Sequence, residues 1–275
     1  MKYSKSSNRI TEYFSRMKQS QNMRIRFFFL SFIWIGFHLM TLPLEGQNAR
    51  DIIEKAEEKV RGKKTSESEM TITTIRPKWQ REMSLKSWSK GTDYSLTLIT
   101  SPAKEKGIAF LKRNREVWNW MPSIERTIKM PPSMMSQSWM GTDLKNDDLV
   151  RESSALKDYT HDIIGDSIIL DRKCWKIQLT PLPDAPVVWG KVIVFVDQVD
   201  YLQLLTQFFD EDEYLVNTMV VKEIREMAGM LLATKLEVVP ADEEGNRTVL
   251  AFNSIVFDRP IPDQYFTTQY MKRAK

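Results

Sequence analysis

The 275-residue sequence holds one cysteine, Cys174, and two histidines, His38 and His161. A single cysteine excludes an internal disulfide and any Cys-x-x-Cys motif. With His161 alone in the body of the chain, a histidine-rich metal site or a His-dependent catalytic triad has little to be built from. Gly165-Asp166-Ser167 has the outline of a hydrolase nucleophile turn, but no histidine follows Ser167 to act as its base. It reads as a polar turn before a strand at Ile168–Leu170. The chain has only ten glycines and no glycine-rich phosphate loop. Acidic clusters at Asp210–Glu213 and Asp242–Glu244 read as solvated hairpin turns. These shortages predict no enzyme, no metal and no cofactor.

Charge of one sign is also scarce. The formal net charge is +4, but residues 1–47 carry seven basic and two acidic residues, leaving 33 basic against 34 acidic in the rest. A body so balanced lacks the basic footprint that nucleic acid binding requires. The leader has an export layout. Arg24 and Arg26 precede an uncharged run from Phe27 to Leu44, and Gly46 follows as a cleavage position. The alternative is an uncleaved inner-membrane anchor, since the run approaches spanning length. Sequencing the mature N-terminus, expected near Gln47 or Asn48, separates the two. Translation starts at Met1 or Met23. No cysteine lies near the leader's end, so the chain itself is not expected to be a lipoprotein. Residues 48–275 read as one exported, periplasmic domain, with no linker rich in Gly, Pro or Ser.

What is present is mainly β pattern. One amphipathic helix is expected first, with Ile52, Ile53, Ala56 and Val60 on one face and Gly62 as its stop. Period-two alternation then begins around Met70 and Ile72, continues through Met83 and Leu85, turns at Lys90-Gly91, and resumes from Tyr94 to Thr100. Further strands are expected at Ile108–Lys112 and Glu116–Met121. The second half reads as a meander with runs near Trp175–Thr180, Val187–Asp197, Tyr201–Phe209, Val216–Glu226, Met230–Val239 and Arg247–Phe257. Such even spacing indicates a barrel or a strongly curved antiparallel sheet.

The stretch from Pro122 to Glu152 breaks the rhythm. Pro131-Pro132 forbids regular structure, and Thr142 to Val150 could form a short helix capped by Thr142 or Asp143. Long interruptions of this kind are usually functional or mobile, so Pro131–Leu149 is expected to be a mobile flap over one end of a cavity. Methionine and tryptophan crowd here, and flexible polarizable side chains suit varied apolar guests. Phe110, Trp118, Trp120, Met134, Trp139 and Met140 are therefore the candidate ligand contacts. Trp118 and Trp120 must share one strand face, and the flap reaches them only if that face is the inner one.

Four stretches resemble the outer-membrane lipoprotein-sorting family, the LolA-like periplasmic carriers. They are Ser101-Pro102-Ala103 through Ala109-Phe110-Leu111; Val117-Trp118-Asn119-Trp120-Met121-Pro122 with Ile124, Arg126 and Ile128; Ser138-Trp139-Met140-Gly141-Thr142-Asp143 with Asp147-Asp148-Leu149; and Pro262-Asp263, Phe266 and Tyr270-Met271-Lys272-Arg273. Leu144 stands where an aromatic residue is expected in this branch. The resemblance implies an unclosed, strongly curved antiparallel sheet around a hydrophobic cavity, partly covered by helices. It also implies a carrier of lipoprotein acyl chains or other lipid across the periplasm toward the outer membrane, in some relatives beside an inner-membrane transporter; the chain is expected to be a monomer. An envelope lipid sensor or adaptor is the alternative.

Overall fold

The computed structural model describes residues 48–62, 64–151 and 155–274. The expected leader, residues 1–47, lies outside them. Helix α1 (Ala49–Arg61) is capped by Asn48, whose side-chain oxygen accepts from the Arg50 N–H at 3.1 Å. Ile52, Ile53 and Ala56 are buried, as their spacing predicts, whereas Val60 is half exposed. The helix stops at Gly62, with φ at +70°. A Cβ there would stand 2.8 Å from the Phe257 ring, so only glycine lets the chain turn beneath it.

Thirteen antiparallel strands follow: β1 (Thr65–Arg76), β2 (Trp79–Lys90), β3 (Tyr94–Ser101), β4 (Ala109–Arg113), β5 (Glu116–Met121), β6 (Arg126–Lys129), β7 (Tyr159–Ile169), β8 (Arg172–Pro181), β9 (Lys191–Asp197), β10 (Gln203–Phe209), β11 (Leu215–Met227), β12 (Met230–Pro240) and β13 (Arg247–Phe257). They form one curved sheet in the order β6-β5-β4-β3-β2-β1-β13-β12-β11-β10-β9-β8-β7, not closed into a barrel. Two meanders thus join where β1 pairs with β13. Register shifts at Glu69/Met70 in β1 and on both sides of Glu223 in β11 bend the strands.

Two readings of the sequence are corrected. Gly165-Asp166-Ser167 is no turn but part of β7, where a bulge at Ile163/Gly165 accommodates the glycine. The proline-broken stretch hides a short edge strand, β6, paired with β5.

The register sorts side chains onto two faces. On the inner face Met70 lies across from Leu85 and Phe252, Ile72 across from Met83 and Leu250, and Leu236 across from Leu250 and Val221. On the outer face Trp88, Leu96, Leu111 and Trp118 form a row across β2 to β5. Both faces are covered. Helix α1 packs Ile52, Ile53 and Ala56 against Ile177, Val192, Val194 and Val196 on the inner side. The C-terminal segment packs Phe266 and Met271 against Trp88, Leu96, Leu98 and Leu111 on the outer side.

Candidate inner cavity

Two elements besides the sheet shape the inner side. The segment from Met130 to Arg151 packs against part of the inner face of β1 to β5. Trp139 is fully buried, its ring 5.8 Å from that of Phe110. Met130, Met135 and Leu144 are buried beside it against Ile72, Met83, Leu85 and Ile99.

Thr142 and Asp143 do not cap a helix there. Thr142 and Asp143 lie in a bend, and the helical turn that follows them, Asp147–Arg151, starts four residues after Asp143. Asp143 instead receives two hydrogen bonds from the Arg76 guanidinium, at 2.8 and 3.0 Å, and one from the Thr248 hydroxyl at 2.6 Å. The Asn217 amide donates to its backbone carbonyl at 2.8 Å, and the Arg81 guanidinium donates to the Met140 carbonyl. The Asp143 carboxylate therefore ties the segment to β1 and β13, and its backbone carbonyl ties it to β11. It is a fastened plug.

Beyond the plug lies a cavity of about 270 Å³. Apolar side chains of the inner face, among them Met70, Met219, Val221, Leu232, Leu236 and Phe252, form much of its wall. Lys59, Val60 and Arg61 from the last turn of α1, Asp148 and Leu149 from the plug, and hydroxyl residues of β1 and β2 also line it. The half-exposed Val60 thus continues the apolar face of α1 toward this cavity. A second cavity of about 190 Å³ runs on beneath α1 and shares Arg61, Asp148, Gln203, Thr206 and Met219 with the first. A third hollow, about 450 Å³, lies on the far side of the plug and is lined by polar groups such as Asp143, Lys145, Asp210 and Glu243. Its size does not make it a lipid site, because ligand pockets for apolar molecules need apolar walls.

The six candidate contacts separate. Phe110, Met134, Trp139 and Met140 come together in the packed cluster under the plug. Trp118 and Trp120 do not join them. Phe110 lies across from Asn119, so the two tryptophans project from the opposite face. There they pack beside the C-terminal segment, with Lys272 5.4 Å from the Trp120 ring. The positions lining the cavity instead come mostly from β1, β2 and β10 to β13. Their alternation was visible in the sequence, but nothing local set them apart from ordinary core.

Asp148 stands where the two cavities meet. Its carboxylate accepts from the Trp189 indole N–H at 2.7 Å and from the Lys145 backbone N–H at 2.8 Å. Withdrawal from water pushes its pKa up to about 6 despite those bonds and the nearby Lys145, and the neighbouring Asp147 adds to the rise. Between the ordinary value of 3.8 and about 6, the folded protein holds a proton that the unfolded chain has released. Stability therefore falls as pH rises through that interval. Comparing melting temperatures at pH 5 and pH 7.5, the native protein should lose more on going to high pH than Asp148→Asn does. Parallel losses in the two proteins would remove Asp148 as the cause.

His161 receives a different setting from that of a catalytic base. Its Nε2 lies 2.8 Å from the Ala155 carbonyl oxygen, and burial lowers its pKa. Ser167 is six residues further along the same strand, roughly 20 Å away at the rise of an extended chain. Among the described residues no group of three or more His, Cys, Asp or Glu side chains could hold a metal ion. No helix of the described residues is long and apolar enough to cross a membrane.

A family model described as an uncharacterized protein matches residues 91–273. Among solved structures, the chain is similar to a LolA superfamily protein from Nitrosomonas europaea, at 26% identity and a TM-score of 0.71, covering 81% of this chain and 99% of the other. It is also similar to a domain named for outer-membrane lipoprotein sorting from Vibrio parahaemolyticus, at 20% identity and a TM-score of 0.72 over 82% of this chain and 100% of the other. A search of curated proteins returned no match.

Proposed function

The chain belongs to the LolA-like superfamily, and on that premise we propose that it is a periplasmic carrier that shields acyl chains of a lipoprotein or lipid on the way to the outer membrane. The observation that carries this reading is the apolar cavity of about 270 Å³ between the sheet, the end of α1 and the plug. Its volume is just below the roughly 300–1,000 Å³ common for ligand sites, and the adjoining cavity extends it. Each CH₂ of an acyl chain left in water costs about 0.8 kcal/mol. Transfer between membranes therefore needs a protein that buries the chain without directional bonds, so that different chains fit and leave again.

A fluorescent fatty acid titrated into the full chain tests the site. Met219 and Leu236 line the cavity and are only partly buried. Met219→Lys and Leu236→Lys should each weaken binding by tenfold or more, because a bound chain would have to desolvate the ammonium group. Unchanged affinity in folded variants would move the ligand elsewhere, and no binding by the native protein would defeat the carrier reading.

A further inference from the structure

The inner face is not uniformly apolar. Along β1 and β2 it changes character between Ser68 and Met70. On one side of that line Ser66 faces Ser89 and Ser68 faces Ser87 across the strand pair. The next strand continues the pattern, with Ser95 opposite Ser89 and Thr97 opposite Ser87. On the other side stand Met70, Leu85 and Ile99, also in register. Hydroxyls and hydrocarbon thus occupy separate blocks of one surface, and Ser66, Ser68, Ser87 and Ser89 all line the cavity.

A cavity evolved for hydrocarbon alone gains nothing from this block, because covering a hydroxyl with an alkyl chain removes its water without replacing the hydrogen bonds. The hydroxyls satisfy one another only in part. Ser66 and Ser89 share one hydrogen bond of 2.7 Å, and Ser87 and Thr97 share one of 3.2 Å. Each hydroxyl can donate once and accept twice, so a pair that shares one bond leaves one O–H spare, and the Ser66–Ser89 pair lies wholly in the cavity wall. Positive charge gathers at the same end. The last turn of α1 places Lys59 and Arg61 in the cavity wall, and the next inner-face position beyond Ser95 is the buried Lys112 of β4. The acidic residues of β1, Glu67 and Glu69, alternate with the inner-face serines and fall on the other face of the sheet. The carboxylate in the wall, Asp148, comes from the plug.

We propose that the hydroxyl block of β1 and β2, with Lys59 above it, is a headgroup subsite for a phosphate-bearing amphiphile whose chain lies against Met70, Met219, Leu236 and Phe252. This rests on the carrier reading and adds a direction to it. The guest is oriented, with its anionic head toward the end of α1 and its chain toward β11 to β13. The spare O–H groups donate to phosphate oxygens, and the ammonium group supplies the counter-charge.

Calorimetric titration of the full chain with dodecyl phosphate and with dodecyltrimethylammonium, both below their micelle thresholds, isolates the head from the chain. Dodecyl phosphate should bind at least tenfold more tightly. Lys59→Glu should bring the two affinities close together, and Ser89→Ala should weaken only the phosphate compound. Lys59 is partly exposed and Ser89 is small, so both variants should fold, which their melting curves check. Equal affinity of the native protein for the two amphiphiles would overturn the headgroup subsite and leave the carrier reading intact. Failure to bind either one would overturn both. Inorganic phosphate should not compete at the same concentration; if it does, the site takes free anions and the proposal of a lipid head falls.

Discussion

Replacing Trp139 by alanine should lower stability by about 3–5 kcal/mol, the range for removing a large aromatic side chain from a packed core. Trp139 has no exposed surface and lies with Met135 and Leu144 of the plug against Phe110 of the sheet. The strand residues of its cluster, Phe110 of β4 and Ile72, Met83, Leu85 and Ile99 of β1 to β3, are pinned by their own ladders and cannot collapse into the space. Since a whole domain has only about 5–15 kcal/mol in hand, much of the protein should be unfolded well below its native melting temperature. Trp139→Phe is the informative partner. The indole N–H has no hydrogen-bond partner among the described residues, so phenylalanine forfeits volume but no bond and should cost far less. Urea unfolding of the two variants measures the difference. A loss under about 1 kcal/mol for the alanine variant would show that this site was open space rather than core, as expected of a residue lining a ligand cavity.

The second large effect concerns the fastening of the plug. Asp143→Ala removes the acceptor for Arg76 and Thr248 together and leaves the guanidinium nearly enclosed, with side-chain exposures of 14% for Arg76 and 5% for Asp143. Removing one member of a buried pair typically costs about 3–5 kcal/mol, chiefly because the other charge is stranded. Amide hydrogen exchange should accelerate through Trp139–Asn146 more than in β9 or β10, because the tie holds the plug and not the far meander. The double variant Arg76→Met with Asp143→Leu should recover much of the loss, as apolar replacement of both partners removes the stranded charge. If the double variant is as unstable as Asp143→Ala, the cost lies in the lost hydrogen bond from Thr248 and not in the ion pair.

These two residues also show how far the sequence could be read. The crowding of Met and Trp around Trp139 marked the segment as one that covers something, and it does cover the inner face. The two prolines suggested a mobile flap, but the fastening comes from Arg76, Asn217 and Thr248, which lie between 67 and 105 residues away in the chain. No local pattern announces a hydrogen bond of that separation. The tryptophan pair failed for a related reason. Period two places Trp118 and Trp120 on one face but is silent about which face, and only the pairing of Phe110 with Asn119 decided it.

Alternation and turn residues by themselves determined a mainly β body led by one amphipathic helix, and β5 and β13 run as the alternation predicts. Those are short-range properties, set by strand pleat, helix period and the chemistry that each side chain can perform. Alternation left open whether the sheet closes, and the resemblance implied that it does not; the tertiary structure alone decided which face is inner and where the cavity lies. Each of these depends on strand register and on contacts between distant segments. A strand shifted by one residue keeps the same alternation while every side chain changes sides.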